Sequence, residues 1–205
     1  SDGPALTLAR RTLKANKPLV TANKAMLAHH GLELAKAAEK AGLPLKYEAA
    51  VAGGIPVIKG LAEGAAANRI TRVYGLMNGT CNYILSRMEA EGLGFADVLA
   101  EAQRLGFAEA DPAFDIEGVD AAHKLTLLAS NAFGVPIQFD KVHVEGITQL
   151  DAVDVAFAER LGYSIKLLGI AKRNPQGLEL RVHPTLVAAN HLLAQVNGSM
   201  NAVMV

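Results

Sequence analysis

The chain has 205 residues, 51% of them hydrophobic and 20% charged, with 20 basic and 20 acidic side chains and a formal net charge of zero. This is a globular composition with room for one substantial core or two small ones, and it lacks the basic stripe that a nucleic-acid partner requires. No apolar run approaches the roughly 18 residues of a membrane span, the start shows no signal peptide, and the single cysteine, Cys81, cannot form an internal disulfide, which fits a reducing cytoplasm.

Pro4–Lys14 reads as a helix with Arg10, Arg11 and Lys14 on one polar face, followed by a short buried strand over Pro18–Asn23. Lys24–Ala41 is helical in composition and stops at Gly42, with Pro44 beyond. Lys46–Val51 reads as a strand that runs into AGGIP, where two glycines permit a sharp turn and Pro56 suits the start of a helix reaching Ala62. Arg69–Leu76 alternates like a strand, and Thr80–Ala90 is then a helix capped by Thr80 or Asn78. Phe95–Leu105 is the next helix, with Asp97 in its first turn and Gly106 as its stop.

Beyond the central stretch, Asp140–Val144 and Ile147–Leu150 read as connectors and Asp151–Leu161 as a helix with aspartates at its start. Ser164–Lys172 and Leu178–His183 flank the turn Asn174-Pro175-Gln176-Gly177 and form the clearest hairpin. Thr185–Gln195 reads as a further helix, Asn197-Gly198 as a turn and Met200–Val205 as a strand. The pattern is α+β, a mixed β-sheet with helices on one face.

Chemistry concentrates in Gly106–Leu128, GFAEADPAFDIEGVDAAHKLTLL. A loop carrying Glu109, Asp111, Asp115 and Glu117 passes Gly118 and enters a helix that holds Asp120, His123 and Lys124. Asp120 and Lys124 are one turn apart on a shared helix face, with the carboxylate N-terminal to the ammonium. As an exposed pair they would stabilise the helix by only about a few tenths of a kcal/mol. Four carboxylates within nine residues repel one another unless a cationic ligand compensates them, and a partly desolvated lysine among them can transfer a proton.

Four combinations in order, VTANKAML at Val20–Leu27, EAAVAGGIP at Glu48–Pro56, LMNGTCNYIL at Leu76–Leu85 and AQRLGFAEADPAFDIEGVDAAHKL at Ala102–Leu125, resemble homoserine dehydrogenase. The resemblance covers roughly residues 4 to 205 and corresponds to the substrate-binding and dimerisation part of that family. It implies NAD(P)-dependent interconversion of L-aspartate 4-semialdehyde and L-homoserine on the cytoplasmic route to threonine and methionine. Residues 1–42 would be the last strand and helices of a truncated Rossmann-type nucleotide-binding domain, and residues 43–205 the substrate and dimerisation domain.

By the same resemblance Lys124 is the acid/base at the aldehyde oxygen, and Asp120 holds it or a relay water. A lysine does this well when burial lowers its pKa toward the working pH. Lys24 and Asn23 lie where nicotinamide and substrate meet. Glu109 and Asp115 receive the substrate's α-ammonium, a charge-assisted contact, and Gly79 and Thr80 at a helix N-terminus meet its polar end. Glu48 with the carbonyls of Val51, Gly53 and Ile55 would bind a monovalent cation, sodium.

The histidines His29, His30, His123, His143, His183 and His191 lack zinc-type spacing. Cys81 at a helix N-terminus is a possible thiol nucleophile, though a lone cysteine is more often a small buried hydrophobe. Two rival functions are a Schiff-base lyase using Lys124 and a non-catalytic dimerisation module with a disabled site. The chain contains no strand, glycine-rich turn and helix unit for the pyrophosphate, since Gly92-Leu93-Gly94 follows a helix and lacks the third glycine. The resemblance places one domain before Ser1 and a returning helix after Val205. Isolated, these residues are expected to dimerise through their sheet, bind the cofactor poorly and show no turnover.

Overall fold

Leu6, Ala9 and Leu13 recur on one side of Pro4–Lys14 and bury there, which with Pro4 at the entry makes this segment the first helix, α1. The computed structural model describes residues 2–205. Helix α2 (Lys24–Lys40) is capped by Asn23, whose side chain accepts from Met26 N at 2.9 Å. The strand expected over Pro18–Asn23 contracts to β1 (Leu19–Val20), and Val20 is 78% exposed rather than buried. It pairs in parallel with β2 (Leu45–Lys46), which is likewise shorter than the expected Lys46–Val51 strand because the chain turns into a 3-10 turn at Glu48–Ala50. Leu6, Leu13, Leu19, Met26 and Leu34 make a small cluster of their own, against which Leu43 and Leu45 pack.

The helix expected from Pro56 is a single turn, α3 (Val57–Lys59), running into a π turn at Gly60–Gly64. Strand β3 (Arg72–Leu76), α4 (Gly79–Glu91) and α5 (Phe95–Leu105) follow the sequence reading closely. Within the acidic loop a short helix not read from the sequence, α6 (Ala113–Ile116), precedes α7 (Val119–Phe133). Gly118 joins them with φ +85°, a left-handed conformation that a side chain would strain. The connector at Asp140–Val144 contributes β4 (His143–Val144), and α8 (Ala152–Arg160) opens with a capping box between Asp151 and Asp154.

The hairpin is longer than expected, β5 (Tyr163–Asn174) against β6 (Gly177–Ala188) in continuous register from Asn174↔Gly177 to Tyr163↔Ala188. The helix expected over Thr185–Gln195 is therefore absent: the first part is strand, and only Leu192–Gln195 turns, as 3-10. Pro184 reads as a breaker, but β4 covers β6 only at Arg181 and Val182. At Pro184 the outer side of β6 is a sheet edge, where a missing N–H costs little.

With β7 (Ala202–Met204) the main sheet runs β4-β6-β5-β3-β7, antiparallel except for the β4–β6 pair. Strand alternation sends Val73, Ile165, Leu167, Ala171, Leu180 and Val182 into the principal core with the apolar sides of α4 and α7. Leu76, Leu168 and Val187 point to the opposite face, where the Leu192–Gln195 turn covers them in part. The expected layering, one helix-covered face of a mixed sheet, is what forms. Lys166 on that opposite face is fully buried, donating to Val196 O at 3.0 Å and Asn197 Oδ1 at 2.9 Å, and burial pushes its ammonium pKa down.

Candidate active site

Two helix N-termini and one more helix start converge beside the end of β3. The chain leaves β3 through Met77 and enters α4 at Asn78, whose Oδ1 accepts from Cys81 N at 2.8 Å as the N-cap. Helix α7 enters from Gly118 so that Asp120 lies in its first turn, and α2 brings Lys24 at its first residue. Gly146 lets the chain before α8 lie against the loop that precedes α7, since a side chain there would come 2.2 Å from Ile116 O.

Asp120 is the hub. Only 2% exposed, it receives Lys124 Nζ on Oδ2 at 2.6 Å and Asn78 Nδ2 on the same oxygen at 2.9 Å, while Lys24 Nζ stands 3.1 Å from Oδ1. Burial works to raise its pKa, but the Lys124 charge and hydrogen bond, the Asn78 amide and Lys24 together hold the carboxyl below its ordinary value. Lys124 also donates to Met77 O at 2.7 Å. It is mostly sheltered, and Lys24 is the more open lysine, its ammonium 5.9 Å from the Phe114 ring centre.

Asp115 joins through Asn78 Nδ2, 2.7 Å from its Oδ1, and Thr80 Oγ1 lies 3.3 Å from Oδ2 and 2.9 Å from Phe107 O. The structure thus brings together Lys24, Asp120, Lys124, Asp115 and Thr80. Gly79 opens α4, and a side chain there would meet Ser199 O at 2.7 Å. Glu109 is exposed in the loop, with its main-chain oxygen taken by Gln103 Nε2 at 3.0 Å. Asn23 spends its side chain on capping α2.

Sequence reasoning missed Asn78 as more than a cap, and the Met77 carbonyl altogether. The one available signal was a polar residue between an apolar strand and an apolar helix start. Cys81 is fully buried, its Sγ 3.2 Å from Asp115 O, and burial pushes the thiol pKa far up, as do the Asp115 and Asp120 charges. It is a packing residue and no nucleophile.

The Glu48 carboxylate accepts from Ile58 N and Lys59 N, one on each oxygen, at 2.9 Å each. The main-chain oxygen of Glu48 accepts from Val51 N at 3.3 Å. The AGGIP loop itself bends sharply, with Ala52 at φ +55° and Gly53 at φ +56°. A cavity of about 530 Å³ lined by Tyr83, Arg87, Glu89, Glu159 and Asn197 contains none of the residues that surround Asp120.

His123, 3% exposed on α7, has no hydrogen-bond partner at either ring nitrogen among the described residues and packs against Phe139 at 4.3 Å, His29 at 5.3 Å and Phe114 at 5.4 Å between ring centres. Burial lowers its pKa to about 4, with His29 and Lys24 adding to the shift and Asp120 opposing it. A group whose folded pKa is depressed contributes stability that is present above its unfolded value and lost as pH falls toward the folded one. The loss here falls between about pH 6.5 and about pH 4. His123→Phe should therefore unfold at a temperature that declines less than the wild type's across that window. Parallel melting curves against pH would remove His123 from the acid sensitivity.

A buried carboxylate held by two lysines, one of them at a helix start, with a further carboxylate one amide away, makes this cluster the candidate site of an α+β fold. A family profile described as "Homoserine dehydrogenase" matches residues 56–205. The homoserine dehydrogenase of Pseudomonas aeruginosa is 58% identical over 97% of this chain and 46% of its own length, and that of Helicobacter pylori is 50% identical over 97% and 47%. The crystal structure of a homoserine dehydrogenase from Thiobacillus denitrificans superposes with TM-score 0.98 at 56% identity, over 99% of this chain and 47% of that one. A hyperthermophilic archaeal homoserine dehydrogenase in complex with NADPH superposes with TM-score 0.82 at 27% identity, over 97% and 57%.

The chain belongs to the homoserine dehydrogenase family of oxidoreductases. It spans about half the length of the curated relatives it matches.

Proposed function

We propose that the full-length protein interconverts L-aspartate 4-semialdehyde and L-homoserine with NADP or NAD in the cytoplasm, as a step toward threonine and methionine. The observation that carries this reading is the Lys24–Asp120–Lys124 constellation with Asp115 one amide away. The bound nicotinamide supplies hydride exchange at the substrate's C4. Lys124 gives a proton to the aldehyde oxygen in reduction and takes the hydroxyl proton in oxidation. Asp120 and the Met77 carbonyl fix the lysine's ammonium, so it reaches the oxygen along one direction.

Asp115 and Glu109 take the α-ammonium, and the Gly79 and Thr80 end of α4 favours the α-carboxylate, as a helix N-terminus does. Lys24, with Asn23 shaping its helix start, is open enough to meet substrate and nicotinamide together. Glu48, with the main-chain carbonyls of Val51, Gly53 and Ile55, offers hard oxygen donors that suit sodium better than a transition metal. Residues 1–42 are read as part of the cofactor domain and 43–205 as the substrate and dimerisation domain, although β1 pairs with β2 at Leu45–Lys46, so the strand pairing of the first unit runs a few residues past 42. The sheet face bearing Tyr74, Leu168 and Ile170 is the surface for a homodimer.

The test is direct. The full-length protein should reduce NADP or NAD, read by nicotinamide absorbance, only when L-homoserine is supplied. Borohydride trapping of an aldehyde adduct on Lys124 should fail, and a trapped adduct would favour the lyase instead.

A further inference from the structure

We infer that Asn78 is a positioning residue that sets the ammonium-binding carboxylate, Asp115, and the proton-transfer partner, Asp120, in register with each other. The inference rests on the reading of the site given above. Asn78 is 5% exposed and spends every polar group it has: Oδ1 accepts from Cys81 N at 2.8 Å, and Nδ2 donates to Asp115 Oδ1 at 2.7 Å and Asp120 Oδ2 at 2.9 Å. The cap fixes which way the amide faces. With its oxygen committed to the first turn of α4, the NH₂ group must point at the carboxylates, and its two hydrogens serve one carboxylate each.

Asp115 sits on α6 and Asp120 on α7, separated by the left-handed turn at Gly118, so helical geometry does not fix their spacing. Asn78 comes from the end of β3, a strand held on both sides by β5 and β7. A strand paired on both sides thus supplies the tie between carboxylates carried on two separate helices. The reacting oxygen and the ammonium of homoserine are separated by three carbons, and both ends must be placed at once. A small misplacement of one relative to the other is costly for a reaction that depends on alignment. A neutral donor between the two carboxylates also relieves their mutual repulsion without competing for the substrate's charge.

The experiment uses the full-length enzyme. Asn78→Ser retains an N-cap hydroxyl but has a single, shorter-reaching donor that cannot serve both carboxylates, so it should raise KM for homoserine about 10-fold and lower kcat about 10-fold, the scale of a lost hydrogen bond to a charged group. KM for NADPH should stay within about twofold, which a general loosening of the fold would not produce. In an Asp115→Ala background the same substitution should add no more than about twofold to KM, because contacting residues couple.

Asn78→Asp keeps an equally good cap and places a third carboxylate against the other two, so it should be the more damaging change to turnover. Wild-type kinetics in either variant, or the same KM penalty with and without Asp115, overturns the inference. Wild-type kinetics in Lys124→Ala and Asp115→Ala would overturn the site reading and this inference with it.

Discussion

Lys124→Ala in the full-length enzyme is expected to lower kcat by about 10²- to 10⁴-fold while KM for homoserine changes far less, the signature of a positioned acid/base whose contact matters chiefly in the transition state. Lys124 is tied to Asp120 at 2.6 Å and to Met77 O at 2.7 Å, so its ammonium is already directed before substrate arrives. Removing it also leaves Asp120 buried with only Asn78 and Lys24 to compensate its charge. Part of the loss would then appear as lower thermal stability, because an uncompensated buried carboxylate is costly. Kinetics at a temperature well below unfolding separate the two effects. A variant with near wild-type kcat would remove Lys124 from the mechanism.

Asp115→Ala should act on a different constant. Losing a charged contact of about 1.5–3 kcal/mol raises KM for homoserine by roughly 10- to 100-fold, with KM for the nicotinamide unchanged. Glu109→Ala is expected to move the same constant in the same direction. A rise in cofactor KM with homoserine KM unmoved would show that these carboxylates face the nucleotide instead. Because Asp115 also accepts from Asn78, its removal frees one hydrogen of that amide at the head of α4, and some kcat loss should accompany the KM effect.

The sequence carried most of the helices because each announces its ends locally. Phe95–Leu105 stops at Gly106 with φ +80°, and Ala152–Arg160 is opened by the Asp151/Asp154 box, both readable from residue type alone. The strands fared worse where pairing partners far along the chain decide them. Thr185–Ala188 is strand because Tyr163–Lys166 lies opposite, which no local pattern of Thr, Leu and Val states. Likewise β2 is cut short by the turn that brings the Glu48 carboxylate onto Ile58 and Lys59.

In the site, spacing alone gave Asp120 and Lys124 as neighbours on one helix. That Lys24, nearly a hundred residues earlier, belongs to the same site was implied only by the family resemblance, and its contact with the other oxygen of Asp120 was not read from the sequence. Asn78 escaped because an N-cap already accounts for an asparagine before a helix, and a residue with one sufficient local explanation hides a second, tertiary one.

The segment after β6 reaches back under the head of α4. Asn82 Nδ2 donates to Val196 O at 3.0 Å and Met200 O at 3.1 Å, Gly198 N donates to Ser86 Oγ at 3.2 Å, and β7 lies so close to β3 that a side chain at Gly75 would stand 2.0 Å from Ala202 O. The helix end that carries Asn78, Gly79 and Thr80 thus rests on residues more than a hundred positions downstream. Heritable damage to the enzyme need not strike its acidic motif: a change between 196 and 204 that never approaches the substrate would present genetically as a catalytic lesion.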